Sequence, residues 1–409
     1  MRLNEESLET LIVRQMVEGG WEQGSAGEYD PAYAIDLNQL NEFIETTQPD
    51  LAKALTLREA TATRHEFLSR LQGEITRNGV VHVLRKGVDH RQHHVDLFFP
   101  TPSPGNARAT DLFEANRFTV TRQVHYSVTA TGLSLDLVAF VNGLPVFTFE
   151  LKNNITKQTF DDAVEQYKRD RDPRELLFQF GRCIAHFALD DQQVRFCTHL
   201  KSKQSWFLPF DKGWNDGAGN PPNPNGLKTD YLWRETLAPA SLANIIENYA
   251  QIVTTKNPRT GKKSSSQIFP RYHQLDVVRK LLADVEARGA GRRYLIQHSA
   301  GSGKSNSIAW LAHQLTEAKH DGSNAFGSVI VVTDRVILDS QLKETIKSFM
   351  QVGSTVVHAD RSGDLRKAIE TGRKIIITTV QKFPYILDDI GKDHRDRTFA
   401  IIIDEAHSS

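Results

Sequence analysis

The spacing of apolar positions changes character along this chain. Leu8, Leu11, Ile12, Val13 and Met16 form a stripe at helical spacing, which predicts a helix over 4–18 closed by Gly19-Gly20. Further helices are predicted over 36–46 and 58–77. Val80–Arg85 and Val95–Phe99 read as strands, 101–106 as a loop of turn formers, and Phe118–Thr129 as another strand. Residues 133–152 then read as two strands joined by an Asn142-Gly143 turn. A helix over 157–170, strands at Arg182–Leu189 and Val194–Leu200, a long loop at Gly213–Pro224 and an amphipathic helix over 241–253 follow. Thr254–Ser266 carries Lys256, Arg259, Lys262, Lys263 and a run of serines, and reads as a flexible basic linker. Beyond it, short β-branched runs at 294–296, 329–332, 355–357, 374–378 and 400–403 alternate with helical segments. That is the pattern of a parallel sheet covered on both faces.

Chemistry enters at the Asn142 hairpin. Asp136 lies on its first strand, and Glu150 and Lys152 on its second, with Leu151 between them. Side chains alternate, so Val146, Thr148, Glu150 and Lys152 share one face while Phe147, Phe149 and Leu151 form the natural core face. A plain two-residue turn would pair Asp136 with Phe149 and part the two acids. A three-residue loop or a bulge after Asn142 would set Asp136 opposite Glu150, with Cβ atoms about 4.5–5.5 Å apart. Pro145 lacks an N–H and disfavours a continuous ladder there, so the odd loop or the bulge is expected. Two opposed carboxylates would suit one Mg²⁺, which lowers the pKa of a bound water from about 15.7. Lys152 would orient that water and neutralise charge on the phosphorus. An amphipathic hairpin with a solvated Glu/Lys face is the competing reading. Glu9 borders the first apolar stripe and is either an accessory acid of this site or a residue favouring a helix N-terminus. Gln158, Gln166, Tyr167 and Lys168 on the 157–170 helix are candidate DNA-backbone contacts or a solvated face.

Composition narrows the class. The 409 residues suggest roughly two to three domains. Lys plus Arg equal Asp plus Glu at 50 each, so no global field draws in nucleic acid and any DNA contact must be local. Only Cys183 and Cys197 are present, which excludes a disulfide framework. No apolar run approaches a membrane span, and Met1 leads into a polar, acidic stretch, so a soluble cytoplasmic protein is expected.

A second candidate site follows the run at 294–296: His298-Ser-Ala-Gly301-Ser-Gly303-Lys304-Ser305, then a helix. Glycines there let backbone N–H groups cradle phosphates, Lys304 would reach the β- and γ-phosphates, and Ser305 would ligate Mg²⁺. His298 stands where the strict pattern has glycine. The chain closes on Ile401-Ile-Ile-Asp404-Glu405-Ala-His407, read as a buried strand delivering two acids. Asp404 would hold Mg²⁺ through water and Glu405 would orient the attacking water.

These motifs carry a resemblance. Gly301–Ser305 with Asp404-Glu-Ala-His407 resembles the first motor domain of superfamily 2 helicases and translocases. Thr333-Asp-Arg335 and Thr378-Thr-Val-Gln381 match positions of that family's DNA-contacting motifs, and Phe269-Pro-Arg-Tyr-His-Gln274 its adenine-reading motif, with Gln274 on the base. An Asp…Glu-x-Lys nuclease followed by a motor is similar to the R (restriction) subunit of type I restriction–modification enzymes. Arg122-Gln-Val-His-Tyr126, Phe149-Glu-Leu-Lys-Asn153, Glu165-Gln-Tyr-Lys-Arg-Asp170 and Gly217-Ala-Gly-Asn-Pro221 fit that family. Many relatives carry Gln four residues before the helix tyrosine. Here that position is Ala163, and Gln166 is the alternative.

The resemblance implies an α/β chain: a restriction-endonuclease-like (PD-(D/E)xK) mixed-sheet domain over 1–253, a basic linker over 254–267, and a RecA-like P-loop lobe over 268–409. It implies ATP and Mg²⁺ as cofactors, and double-stranded DNA with methyltransferase (M) and specificity (S) subunits as partners. The family's second motor lobe and arginine finger are not in this sequence. The strand that inserts beside the acidic motif is missing too, so the lobe reads as incomplete and the chain as a piece without useful ATPase on its own. A DNA-repair nuclease–helicase without a methyltransferase partner and an inactive DNA-binding or assembly module are the rival readings.

Overall fold

The computed structural model describes residues 5–153, 157–256, 260–299, 301–333, 345–346, 356–359, 361–382 and 397–405. Asp334 and Arg335 of the first DNA-contacting motif, and Ala406 and His407 of the acidic motif, lie outside these residues. The chain divides into two compact units, Met1–Arg271 and Tyr272–Ser409.

In the first unit, α1 (Glu5–Glu18) leads to short strands β1 (Glu22–Gln23), β2 (Tyr29–Asp30) and β3 (Ile35–Asp36). Four helices follow: α2 (Leu37–Thr47), α3 (Pro49–Leu55), α4 (Ala62–Asn78) and α5 (Val80–Lys86). Then come β4 (Val88–His90), β5 (His93–Val95), α6 (Ala107–Glu114), β6 (Phe118–His125), β7 (Ser134–Val141), β8 (Leu144–Leu151) and α7 (Phe160–Arg169). The unit closes with β9 (Ala185–Leu189), β10 (Val194–Cys197), β11 (Leu208–Pro209), α8 (Pro239–Asn248), β12 (Gln251–Lys256) and β13 (Lys263–Ile268). Seven strands form one mixed sheet in the order β1-β6-β7-β8-β9-β10-β11. The β1–β6 and β8–β9 pairs are parallel, and α7 makes the crossover between β8 and β9.

β8 is the centre of this sheet, and every one of its residues is buried. The expected single core face is therefore corrected to two. Phe147 and Phe149 join Phe187, Phe196, Phe210 and Phe269 in a cluster of packed rings. On the other face Ala163, Val164 and Tyr167 of α7 pack with Val138, Phe140 and Ala188. The α7 start is fixed by a capping box between Thr159 and Asp162. The Phe160 N–H also donates to Asp190 at the end of β9, at 3.0 Å.

Three local expectations change, and the first is Val95–Phe99, which is strand only at Val95, the end of β5. Val80–Arg85 is helix, not strand: Val80, Val81, Val83 and Leu84 are all buried, which a helix end inside a core satisfies and an alternating strand does not. Arg85 then closes on the end of α8, donating to Ile246 O at 2.5 Å and Ala250 O at 2.8 Å. The basic linker is instead an antiparallel hairpin, β12 with β13, running from Gln251↔Ile268 to Lys256↔Lys263. Its Ile-Val-Thr-Thr run has high β propensity, and Gln267 anchors it by donating to Cys183 O and Ile184 O, each at 2.5 Å.

The second unit contains α9 (Tyr272–Arg288), α10 (Lys304–Leu315), β14 (Lys319–His320), β15 (Ser323–Asn324), β16 (Ser328–Thr333) and β17 (Val356–His358). A helix at Ser362–Glu370, β18 (Ile375–Thr379) and β19 (Phe399–Ile403) complete its described elements. The order β17-β18-β16-β19 is parallel throughout. Ile330, Val332 and Ile376 pack on Leu365, Ala368 and Ile369, while the alternate residues Val329, Val331, Ile375 and Ile377 are buried too. Four of the five expected strands are present. Tyr294–Ile296 is not a strand, and Leu295 is 89% exposed. β19 is not the expected buried strand either: Ile401 and Ile403 are 57% and 51% exposed. Among the described residues β19 pairs with β16 alone, and a short apolar run without a neighbour on each side stays wet.

Candidate active sites

The hairpin resolves the parity question through a bulge. Asn142 (φ 52°) and Gly143 (φ 81°) make a two-residue turn with Val141 opposite Leu144. Both central residues are left-handed, the type I′ geometry that Asn-Gly favours. A Cβ on Gly143 would lie 2.4 Å from Asp36 O and 2.6 Å from Leu40 N, so the turn docks where only glycine fits. Phe140 faces Pro145 and Ala139 faces Phe147, so Val146 is the extra residue. The register then runs to Leu137↔Phe149, and one further step sets Asp136 against Glu150. The three-residue loop is not used. Asp136 Oδ2 accepts from Leu151 N at 2.7 Å, holding the first acid to the second strand.

Glu150 is fully buried. Its Oε1 accepts from Arg171 Nε at 2.6 Å, while Oε2 has no hydrogen-bond partner among the described residues. Burial, then the Asp136 charge, push the Glu150 carboxyl above its ordinary pKa, against the pull of Arg171 and Lys152. Although burial opposes its own charge, the Glu150 carboxylate holds the Arg171 guanidinium above its usual value. An orphaned carboxylate oxygen beside a second acid leaves an oxygen donor open, and it fits a divalent cation. Among the described residues, no group of three or more His, Cys, Asp or Glu side chains is gathered for a metal. Asp136 and Glu150 are the two acids here that could hold a divalent ion, with water and phosphate oxygens left to complete its shell.

Glu9 sits on the other side of Asp136. It is 5% exposed, accepts from Arg122 Nε at 3.0 Å and Gln123 Nε2 at 2.6 Å, and burial chiefly raises its pKa, with Asp136 adding to the rise. Its side chain thus turns into the sheet instead of serving the helix N-terminus. Gln123 has φ 50° and interrupts the β6–β7 ladder between Arg122↔Leu137 and Val124↔Leu135, directly across from Asp136.

The helix candidates separate. Tyr167 is fully buried and its hydroxyl bonds Thr148 Oγ1 at 2.7 Å, in a chain that continues to His186 Nδ1 at 2.8 Å. Burial drives the His186 pKa down to about 3, so this network stays neutral. Ala163 packs on the same face, and Gln166 is half-buried one residue before Tyr167. Lys168 pairs with Glu165 at 3.2 Å on the helix surface, and Gln158 precedes the α7 cap. Sequence reasoning missed Arg171 and Gln123. Arg169, Arg171 and Arg174 stand close together in sequence, and nothing in their spacing marks the one that turns inward.

In the second unit Gly301 (φ 74°) and Gly303 (φ 82°) shape the loop, and α10 starts at Lys304 with Ser305 in its first turn. Lys304 Nζ meets Glu405 Oε1 at 2.7 Å, beyond the end of β19. Burial, then Glu405, raise the Asp404 pKa, and Lys304 lowers it, so the three charges share one locality. Gln274 is buried and its amide donates to Ser302 O at 3.1 Å and Gly303 O at 2.9 Å, bracing the loop. The His273 ring meets the His298 ring edge-on at 4.9 Å, and burial, with Lys304 next, lowers the His298 pKa.

Fold and sites together define a mixed α/β protein: a sheet unit bearing paired acids, then a parallel-sheet unit of ATPase type. Comparison with known proteins sharpens this. Residues 2–205 match the family described as type I restriction enzyme R protein N terminus, and residues 273–409 match the SWI2/SNF2 ATPase family. The chain belongs to the type I restriction enzyme R-protein family, in its N-terminal part. Over its whole length it is 25% identical to the HindI type I restriction enzyme endonuclease subunit of Haemophilus influenzae, covering 39% of that protein. It is 23% identical over its whole length to the MjaIXP protein of Methanocaldococcus jannaschii, whose name carries the words type I restriction enzyme endonuclease subunit, covering 40% of it. The chain thus spans about two fifths of the length of these relatives. No helix among the described residues is long and apolar enough to cross a membrane.

Proposed function

We propose that the first unit carries a Mg²⁺-dependent endonuclease site for double-stranded DNA, and the second an ATP site that belongs to a DNA-translocating motor. The fold reading behind this is a PD-(D/E)xK-like nuclease domain followed by a RecA-like lobe. The observation that carries it is the bulged β7–β8 hairpin, which brings Asp136 towards Glu150 and leaves one buried Glu150 oxygen open. Asp136 and Glu150 would hold Mg²⁺, which when bound polarises the phosphate and acidifies its water. Lys152, two residues past Glu150 on the same strand face, orients the water and offsets charge developing on phosphorus. Arg171 and Asp136's bond to Leu151 N keep the two carboxylates in place. In the motor unit Gly301 and Gly303 shape the phosphate cradle, Lys304 answers the terminal phosphates, and Ser305 and Asp404 would hold Mg²⁺. Glu405 aligns water, and Gln274 serves the loop and the base.

The relatives are named as type I restriction enzyme endonuclease subunits, which supports this reading. On this reading the chain works with methyltransferase (M) and specificity (S) subunits, which supply sequence recognition. The test is nicking of unmodified duplex DNA by the assembled complex. Cutting should require Mg²⁺ and vanish in Asp136→Ala and Lys152→Ala with assembly retained. Undiminished Mg²⁺-dependent cutting by Asp136→Ala would sink the assignment.

A further inference from the structure

We propose that Arg171 makes metal capture at the Asp136–Glu150 site depend on DNA, by cancelling the charge that would otherwise hold a divalent cation in its absence. This rests on the nuclease reading above. Arg171 is built into the site. Its side chain is 6% exposed and that of Glu150 is 0% exposed, with Nε on Oε1 at 2.6 Å. Nη1 donates to Tyr126 Oη at 3.0 Å, and the guanidinium lies 5.4 Å from the centroid of the Tyr126 ring. Contacts to a carboxylate, a phenol and a ring face fix this cation in one pose.

With Asp136, Glu150 and Glu9 ionised, the charges around the site sum to zero. Asp136 and Glu150 are answered by Arg171 and Lys152, and Lys152 is close enough to act electrostatically on Glu150. The third acid, Glu9, is answered by Arg122 at 3.0 Å. Arg171 cannot shed its proton to make room for another cation, because a guanidinium stays charged in proteins. A divalent ion arriving alone meets a neutral cluster. A phosphodiester adds negative charge and oxygen ligands to a site that offers two carboxylates. Buried charges are poorly screened, so this balance persists at physiological salt. Linkage makes the effect reciprocal: DNA tightens the metal and the metal tightens DNA by the same factor. The idle enzyme would then stand largely metal-free, and its cutting centre would assemble on its substrate.

The test is Mn²⁺ binding to the nucleotide-free 409-residue chain, followed by electron paramagnetic resonance with and without a short DNA duplex. Subtracting the signal of Asp136→Ala isolates this site. The wild type should bind at least about tenfold more tightly with duplex present. Arg171→Gln should bind at least about tenfold more tightly than wild type without DNA and lose most of the DNA effect. Arg171→Lys, which keeps the charge, should stay near wild type. Equal wild-type affinity with and without duplex overturns the proposal. So does a folded Arg171→Gln, checked by circular dichroism, whose DNA-free affinity does not rise. If Arg171→Gln does not fold, the wild-type comparison and Arg171→Lys still decide, since a DNA-free gain in Arg171→Lys counts against a charge effect. Mn²⁺ binding that Asp136→Ala leaves unchanged in both conditions would remove the nuclease reading itself.

Discussion

Replacing Asn142 by glycine and by alanine separates two contributions to the turn that sets the register of the acid pair. Asn142 is fully buried. Its Oδ1 accepts from Arg117 N at 2.6 Å, and its Nδ2 donates to Leu97 O and to Asn116 Oδ1, each at 2.9 Å. Glycine tolerates the φ of 52° but strips these three partners inside the core. Asn116 Oδ1 keeps the Phe99 N–H at 3.1 Å, so Arg117 N and Leu97 O are the groups left short, and at about 1–3 kcal/mol each the loss is about 2–6 kcal/mol. Alanine strips the same partners and adds about 1–2 kcal/mol for an L residue held in the left-handed region. A domain is typically stable by about 5–15 kcal/mol, so Asn142→Ala should leave little margin. Urea unfolding followed by far-ultraviolet circular dichroism measures both variants, and Mn²⁺ titration in the same samples reports on the acids. An Asn142→Gly loss under about 1 kcal/mol would show that these bonds do not hold the turn. An alanine variant as stable as the glycine variant would refute the backbone part.

Two further outcomes follow from charges in the structure. Asp36 caps α2 through Oδ1, its Oδ2 is buried without a partner among the described residues, and burial chiefly lifts its pKa from 3.8 to about 6. A raised carboxyl gives stability that is full below its unfolded pKa and lost as pH rises through about 6. Asp36→Asn should therefore match wild type near pH 4 and exceed it by up to about 3 kcal/mol at pH 7, read from urea midpoints across pH. In the second unit, Lys304 is held by Glu405. Lys304→Ala should weaken binding of a fluorescent ATP analogue at least about tenfold, whereas Glu405→Gln should bind it no more weakly than wild type.

Much of the fold was legible because its signals are local. The stripe from Leu8 to Met16, the Asn142-Gly143 turn and the β-branched runs at 329–332 and 374–378 depend on neighbours within a turn or a strand, and they form as read. The misread segments depend on distant partners. Val80–Arg85 is β-branched in sequence but helical because a core surrounds it. Thr254–Ser266 is polar enough for a linker but forms a hairpin anchored by Gln267 on the distant backbone just before β9. Tyr294–Ile296 is apolar enough for a strand and stays outside the sheet.

For the candidate sites, residue type and spacing alone picked out Asp136, Glu150, Lys152, the phosphate loop and Asp404-Glu405, because acids beside a lysine inside apolar strands, and glycines before Lys-Ser, suit a charge to be held; spacing did not by itself separate the acid pair from a solvated hairpin face. Parity arithmetic also reduced the hairpin to an odd loop or a bulge. Only the tertiary structure chose the bulge at Val146, turned Tyr167 towards Thr148 and away from bulk water, bent Gln123 across from Asp136, and drew Arg171 onto Glu150. Period fixes which face of an element a residue occupies. It does not say which side chain past the end of a helix turns inward, because that is decided by the burial of groups brought together from across the chain.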